Sequence, residues 1–253
     1  MKLGAQLYSL RTFTQTAPDL DVTFARLKEM GYECVQLSGE GPIPAEQLNE
    51  ISQKNQLPIA CTHVPVARLL NDTEAVIAEH RVFGCSVIGL GSIPKDKRTD
   101  RATLLAFLEE LKVAVAKIEA AGMHFAYHNH AFEFEPTEDG SPCLYDYLLA
   151  EFPNWGFILD TYWVAFAGKD VVEYLYKVGS DRLANVHFKD MANDEARSIC
   201  ACGNGVLDFE AIYRACAELK VQNVLVEQDN AVKFDDPFGQ VATSFAHLRP
   251  IIR

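Results

Sequence analysis

Short apolar runs alternate with amphipathic segments along the whole chain. The run 2–8 is typical of a buried strand, and the segment 17–30 places Leu20 and Phe24 on one face of a helix that Gly31 ends. The same alternation predicts strands at 2–8, 33–37, 58–63, 86–91, 124–130, 157–160, 183–189 and 223–228. It predicts helices between them at 17–30, 45–55, 72–83, 98–121, 143–152, 171–178 and 209–220, with a last helix closing the chain.

Eight successive strand–helix units without a linker or a shift in composition indicate one parallel-stranded domain over residues 1–253. The length of 253 residues matches the (β/α)8 barrel, typically about 250 residues. A doubly wound sheet would also alternate, but it rarely needs eight near-equal units. No GxGxxG follows the first strand, and no GxxxxGK[ST] occurs in the sequence. We therefore predict the α/β class and a single TIM barrel.

Net charge bears on the binding partners, and cysteine usage bears on the cellular compartment. The formal net charge of −12 opposes binding to nucleic acid and to anionic membranes. The seven cysteines are scattered, and several lie inside apolar runs, so reduced core thiols are expected rather than disulfides. The N-terminus is too short and too polar for a signal peptide, and no apolar run reaches membrane-spanning length. A soluble, cytoplasmic protein is expected.

Four of the predicted strands end on ionisable residues. These endings are AYHNHAFEF (126–134), GFILDTYW (156–163), LANVHFKD (183–190) and NVLVEQD (223–229). In a barrel the carboxyl ends of the strands form the active-site face. Because side chains alternate along a strand, His187 and Lys189 share one face, and His128 and His130 share another. The endings therefore meet at one rim.

Glu133, Asp160, His187 and Glu227 make a mixed oxygen and nitrogen ligand set at this rim. Such a set suits Mn²⁺, Mg²⁺, Co²⁺ or Zn²⁺. The three carboxylates would repel one another without a cation between them. Any one of these residues alone is better explained by loop hydrogen bonds or rim ion pairs. Four at corresponding points of successive strands favour a metal site.

The sequence resembles the xylose-isomerase-like barrels, which include sugar phosphate isomerases/epimerases and inosose dehydratase-like proteins. The motifs that carry the resemblance are GAQLYSLR (4–11), YHNHAFEF (127–134), LDTYWVAFAG (159–168), VHFKD (186–190), GNGVLDF (203–209) and VEQD (226–229). The resemblance implies a divalent metal held by carboxylates after strands five, six and eight and by a histidine on strand seven. These match Glu133, Asp160, His187 and Glu227. Gln36 departs from the pattern, because many relatives are expected to carry an acidic residue there.

The resemblance also implies a reaction. A metal that chelates the carbonyl and adjacent hydroxyl oxygens of a ketose or keto-sugar stabilises the enediolate formed on deprotonation. Glu133 or Glu227 would take the proton and the other would return it, giving an isomerase or epimerase. Lys189 would stabilise the oxyanion or protonate a leaving hydroxyl. The second role suits the runner-up, a keto-sugar or inosose dehydratase or a 3-keto-glycoside lyase.

Further candidates would contact a small-molecule sugar substrate. His63, His128 and His130 are candidates for its hydroxyls, and Trp163 for its apolar face. The alternatives are that His63 only ends its strand, that the other three are core residues, and that Lys189 pairs only with Asp190. Relatives are often dimers or tetramers, which allows a homo-oligomer.

Two readings of other kinds remain open. One is a catalytically silent sugar-binding barrel. The other is a relative of the endonuclease-IV-like barrels, which needs more ligands and a basic groove, and which the negative net charge disfavours.

Overall fold

Eight parallel strands close into a barrel in the computed structural model, which describes residues 1–137 and 140–252. The barrel strands are β1 (Lys2–Gln6), β2 (Cys34–Leu37), β3 (Ile59–His63), β4 (Val87–Leu90), β5 (His124–His128), β6 (Gly156–Asp160), β7 (Leu183–Phe188) and β10 (Asn223–Val226). Their order around the ring is β1-β10-β7-β6-β5-β4-β3-β2. The predicted TIM barrel is confirmed.

Helices surround the barrel between successive strands. They are α1 (Ala17–Met30), α2 (Ala45–Asn55), α3 (Val66–Asn71), α4 (Thr73–Val82), α5 (Arg101–Ala120), α6 (Leu144–Glu151), α7 (Thr161–Phe166), α8 (Val171–Val178), α9 (Phe209–Glu218) and α10 (Pro237–Leu248). The start of α1 is set by the side chain of Thr16, which accepts a hydrogen bond from the Asp19 N–H. Its end is set by Gly31, whose φ of 102° is the left-handed conformation that favours glycine.

Two short helices were not expected from the sequence, and β1, β5 and β10 each end two residues earlier than predicted. Helices α3 and α7 each have six residues, too few for a helical period to show in the sequence. Strand β5 ends at His128 rather than at His130. Past that point the side chain of Asn129 accepts a hydrogen bond from the Asp160 N–H, so the chain leaves the regular ladder.

The apolar core forms two layers. A small cluster, Cys34, Cys61, Ala126, Ile158 and Leu225, fills the inside of the barrel, and a larger one lies between strands and helices. All seven cysteines are free, as expected for reduced thiols. Within the described ranges, no helix is both long and apolar enough to cross a membrane.

A two-stranded antiparallel sheet follows β7. Its strands are β8 (Asp190–Met191) and β9 (Ile199–Cys200). The buried carboxylate of Asp190 holds this segment, because it accepts hydrogen bonds from the backbone N–H groups of Met191, Gly203, Gly205 and Leu207. Asp190 therefore organises a loop at the rim and does not pair with Lys189.

Candidate metal centre

A cavity of about 400 Å³ opens at the carboxyl ends of the barrel strands. Among its lining residues are Gln6, His63, His128, His130, Lys189 and Glu227. The strand-end residues therefore do meet at one rim, which is the face where barrel active sites lie.

Four buried side chains converge beside this cavity. His128, Asp160, His187 and Glu227 each offer one ligand atom, and these atoms lie within 4.8 Å of one another. The separations are 3.4 Å from His128 Nε2 to Asp160 Oδ2, 3.7 Å from His187 Nδ1 to Asp160 Oδ2, and 2.9 Å from His187 Nδ1 to Glu227 Oε2. The parallel register brings them together, since Asp160 lies opposite His187 and Leu225 lies opposite the same histidine.

Neutral amides orient two members of the cluster. Gln6 donates from Nε2 to Glu227 Oε1 at 2.8 Å, while its own oxygen accepts from the backbone N–H of Tyr8. Gln36 Oε1 lies 2.6 Å from His187 Nε2, which makes that ring nitrogen the donor. The remaining ring nitrogen, His187 Nδ1, then faces the centre, where it is buried without a hydrogen-bond partner.

Backbone groups and an asparagine orient the other two. His128 Nδ1 lies 2.9 Å from the carbonyl oxygen of Gly91, which turns Nε2 towards the centre, 3.4 Å from Asp160 Oδ2. Asp160 Oδ1 accepts from the Trp163 N–H at 3.1 Å and thereby caps α7, and its backbone N–H donates to Asn129. In all four side chains one polar atom is held by a neutral partner and the other faces the centre.

Electrostatics at this centre favour a cation. Burial alone lowers the pKa of His187, but Glu227 and Asp160 outweigh it and raise the pKa to about 9, so a metal bound at Nδ1 would displace a proton. Burial acts against the ionised form of Asp160, yet Lys189 and the two neighbouring histidines hold its pKa well below the usual range. Imidazole nitrogens and ionised carboxylates that surround one point are the arrangement that a divalent metal fits.

Lys189 lies at the edge of the cluster and lines the cavity. Its buried Nζ is 3.4 Å from Asp160 Oδ2, 3.4 Å from Glu227 Oε2 and 2.7 Å from Asp229 Oδ1. Burial lowers the pKa of Lys189, but these three carboxylates outweigh burial and raise the pKa above its usual range. The ammonium is therefore charged, and it also lies 5.0 Å from the Trp163 ring.

The structure does not bring Glu133 into the cluster. Its buried carboxylate accepts from the Tyr127 hydroxyl at 2.6 Å and from the His130 N–H at 2.8 Å. Burial raises its pKa to about 7. Glu133 lies in a 3-10 turn past the end of β5, whereas His128 ends the strand itself and faces Asp160. His128 therefore lies where the sequence-based prediction expected Glu133.

His63 and His130 line the cavity, as expected for residues that contact substrate. The centroid of each of these rings lies 4.9 Å from the centroid of the His128 ring. His63 Nε2 and His130 Nδ1 are buried without hydrogen-bond partners. Burial lowers the pKa of His130 to about 3 and that of His63 well below its usual value. Trp163 contacts the His130 ring at 5.2 Å.

Asp229 was not among the site residues expected from the sequence. It lines the cavity beside Lys189, and burial and the Glu227 charge raise its pKa. The sequence could have indicated Asp229, because it lies two residues after Glu227 and side chains two apart along a strand share a face.

A closed parallel barrel with this cluster at its carboxyl rim defines the class as a (β/α)8 barrel with a candidate metal centre. The chain belongs to the xylose isomerase-like TIM barrel family, whose model matches residues 24–251. A search of curated proteins finds no match.

Solved structures with the same fold include three instructive ones. A sugar phosphate isomerase/epimerase from Parabacteroides distasonis is 23% identical, with a TM-score of 0.83 over 100% of both chains. An L-ribulose 3-epimerase is 15% identical, with a TM-score of 0.74 over 99% of this chain and 94% of the other. An IolI protein with a bound zinc atom is 14% identical, with a TM-score of 0.71 over 100% of this chain and 98% of the other.

Proposed function

We propose that the protein is a divalent-metal-dependent isomerase or epimerase of a ketose or keto-sugar. The observation that carries the proposal is the convergence of four oriented ligand atoms beside a cavity at the carboxyl rim. Family membership and the structural likeness to an L-ribulose 3-epimerase and to a zinc-containing IolI protein support it.

The ligands that we assign are His128 Nε2, Asp160 Oδ2, His187 Nδ1 and Glu227 Oε2. His128 takes the position expected for Glu133, whose two oxygens are already engaged by Tyr127 and His130. Two imidazoles and two carboxylates suit Mn²⁺, Co²⁺ or Zn²⁺ better than Mg²⁺, which prefers oxygen ligands. When bound, such an ion would act as a Lewis acid that polarises the substrate carbonyl.

The chain's own side chains would move the proton. Glu227 lines the cavity and is ionised, because Lys189 and His187 outweigh burial and lower its pKa. Oε1 accepts from Gln6 and Oε2 is assigned to the metal, so the second lone pair of Oε1 would accept the proton of the C–H beside a carbonyl. Lys189 carries a proton within 3.4 Å of Glu227 and 2.7 Å of Asp229, so it can return one or stabilise a developing oxyanion. His63 and His130 have free ring nitrogens for substrate hydroxyls.

A dehydratase or lyase on the same site is the second candidate. The observation in its favour is the charged Lys189 on the cavity wall, since a buried ammonium can protonate a hydroxyl that leaves from the carbon next to a carbonyl. Product analysis separates the two reactions, because only elimination releases water or an aglycone.

The test is a screen of ketoses, inososes and 3-keto-glycosides with Mn²⁺ added, together with metal analysis. We expect bound divalent metal, turnover that EDTA abolishes and Mn²⁺ restores, and loss of both metal and turnover in Glu227→Gln. Glu33→Gln is a matched control, because Glu33 accepts from the Leu3 N–H at the start of β1, away from the rim. Turnover that ignores EDTA would refute the metal mechanism. A metal-free protein whose sugar affinity ignores Glu227→Gln would instead indicate a silent binding barrel.

A further inference from the structure

Among the residues that the structure describes, the cavity wall carries no basic side chain that is free of a carboxylate partner. Among its lining residues within the described ranges, Lys189 is the only lysine or arginine. Its ammonium already contacts Asp160, Glu227 and Asp229. A cation that is shared among three carboxylates has little attraction left for another anion.

The lining histidines offer hydrogen bonds. His63 Nε2 and His130 Nδ1 are buried on the cavity wall without hydrogen-bond partners. A ring nitrogen in this position can exchange a hydrogen bond with a substrate hydroxyl.

Arginines elsewhere near the rim are engaged with the protein itself. Arg11 donates to the carbonyl oxygens of Tyr8 and Asp229 and stacks on the Tyr8 ring. Arg197 donates to the carbonyl oxygen of Phe166 and stacks on the same residue. Neither guanidinium lines the cavity, so neither presents the two-pronged donor that recognises a phosphate.

A bound divalent ion would not change this balance. Its two charges would be matched by Asp160 and Glu227, and Lys189 would be matched by Asp229. Bringing a phosphate dianion into such a site carries a desolvation cost without a compensating partner. By contrast, Gln6, Ser38 and the free ring nitrogens of His63 and His130 offer partners for uncharged hydroxyls.

We infer that the substrate is an unphosphorylated sugar or polyol ketone, selected because the one basic side chain among the described lining residues is already paired with carboxylates, while the amide, hydroxyl and imidazole groups of the wall remain for substrate hydroxyls. This inference rests on the proposed function. It restricts the substrate class within that function, and the reaction that supplies the substrate must therefore leave its hydroxyls unesterified.

The test compares matched pairs of inert polyols on the Mn²⁺-loaded protein, because binding then does not depend on turnover. Calorimetry with glucitol and glucitol 6-phosphate, and with xylitol and xylitol 5-phosphate, gives a ratio of affinities for each pair. We expect the neutral member of at least one pair to bind ten-fold or more tightly than its phosphate ester.

A gain of charge provides the internal control. Ser92 lines the cavity, so Ser92→Arg adds a guanidinium and Ser92→Leu adds bulk without charge. We expect Ser92→Arg, and not Ser92→Leu, to shift the ratio at least ten-fold towards the ester.

Two results would overturn the inference: an ester that binds the unaltered protein as tightly as its neutral partner, or a failure of every neutral polyol to bind. The proposed function is judged separately. It fails if the metal-loaded protein turns over no ketose, whatever the polyol affinities are.

Discussion

Asp190→Asn is expected to destabilise the protein strongly, because one carboxylate holds the rim loop after β7. Asp190 Oδ1 accepts from the N–H groups of Met191 at 2.8 Å and Leu207 at 3.1 Å. Oδ2 accepts from those of Gly203 at 2.9 Å and Gly205 at 3.0 Å. Asparagine replaces one oxygen by an NH₂ group, so two of the four backbone donors would face another donor.

The magnitude follows from those two lost bonds. A hydrogen bond to a charged acceptor contributes about 1.5–3 kcal/mol, so the loss is about 3–6 kcal/mol in the free energy of unfolding. For a chain of this size each kcal/mol lowers the melting temperature by about 2–4 °C. The expected fall is therefore at least about 6 °C, to be measured by calorimetry.

Asp208→Asn is the matched control. Asp208 caps α9 through one hydrogen bond, from the Ala211 N–H at 2.9 Å, and it is exposed to solvent. Asparagine is as good a helix cap as aspartate, so this change is expected to cost less than about 1 kcal/mol. If Asp190→Asn lowers the melting temperature no more than Asp208→Asn does, the four-bond account of Asp190 is refuted.

Three further predictions concern the rim. Gln36→Met should weaken divalent metal binding about 10–100-fold in a chelator competition, because it removes the hydrogen bond that orients the His187 ring. An unchanged metal affinity would contradict that role of Gln36. Lys189→Met should abolish turnover and yet bind metal at least as tightly, because it removes a competing cation; retained turnover would exclude Lys189 from the chemistry. Burial raises the pKa of Glu133 from 4.5 to about 7. As pH rises, the Glu133 carboxyl therefore ionises in the unfolded state before it does so in the folded state. The free energy of unfolding should fall by about 3 kcal/mol as pH rises from 4.5 to 7. Glu133→Gln should remove that share of the pH dependence of the melting temperature, and a variant that keeps it would refute the assignment.

The sequence was sufficient for the barrel, because eight buried strands repeat at near-equal spacing. It also placed Asp160, His187 and Glu227 together, since each lies at or next to a strand end, where alternation aims the side chain. It could not aim Glu133, which lies five residues beyond the end of β5. There the direction depends on hydrogen bonds to Tyr127 and His130 that no periodicity reveals.

The supporting amides were equally hard to foresee. Gln36 was noticed as a departure from an expected acidic residue, but its contact with His187 joins residues 151 positions apart in the sequence. Gln6 reaches Glu227 across 221 positions. Only closure of the barrel brings such pairs into contact, so their roles can be identified from the three-dimensional structure but not from the sequence.

The candidate metal ligands and the side chains that support them come from different halves of the chain, and this division has an evolutionary consequence. The four converging side chains all come from the second half, from β5, β6, β7 and the end of β10. The first half contributes Gln6, Gln36 and His63, which touch those side chains or the cavity without belonging to the cluster. Mutations in the first half can therefore retune substrate preference or metal affinity while the ligand atoms are inherited unchanged.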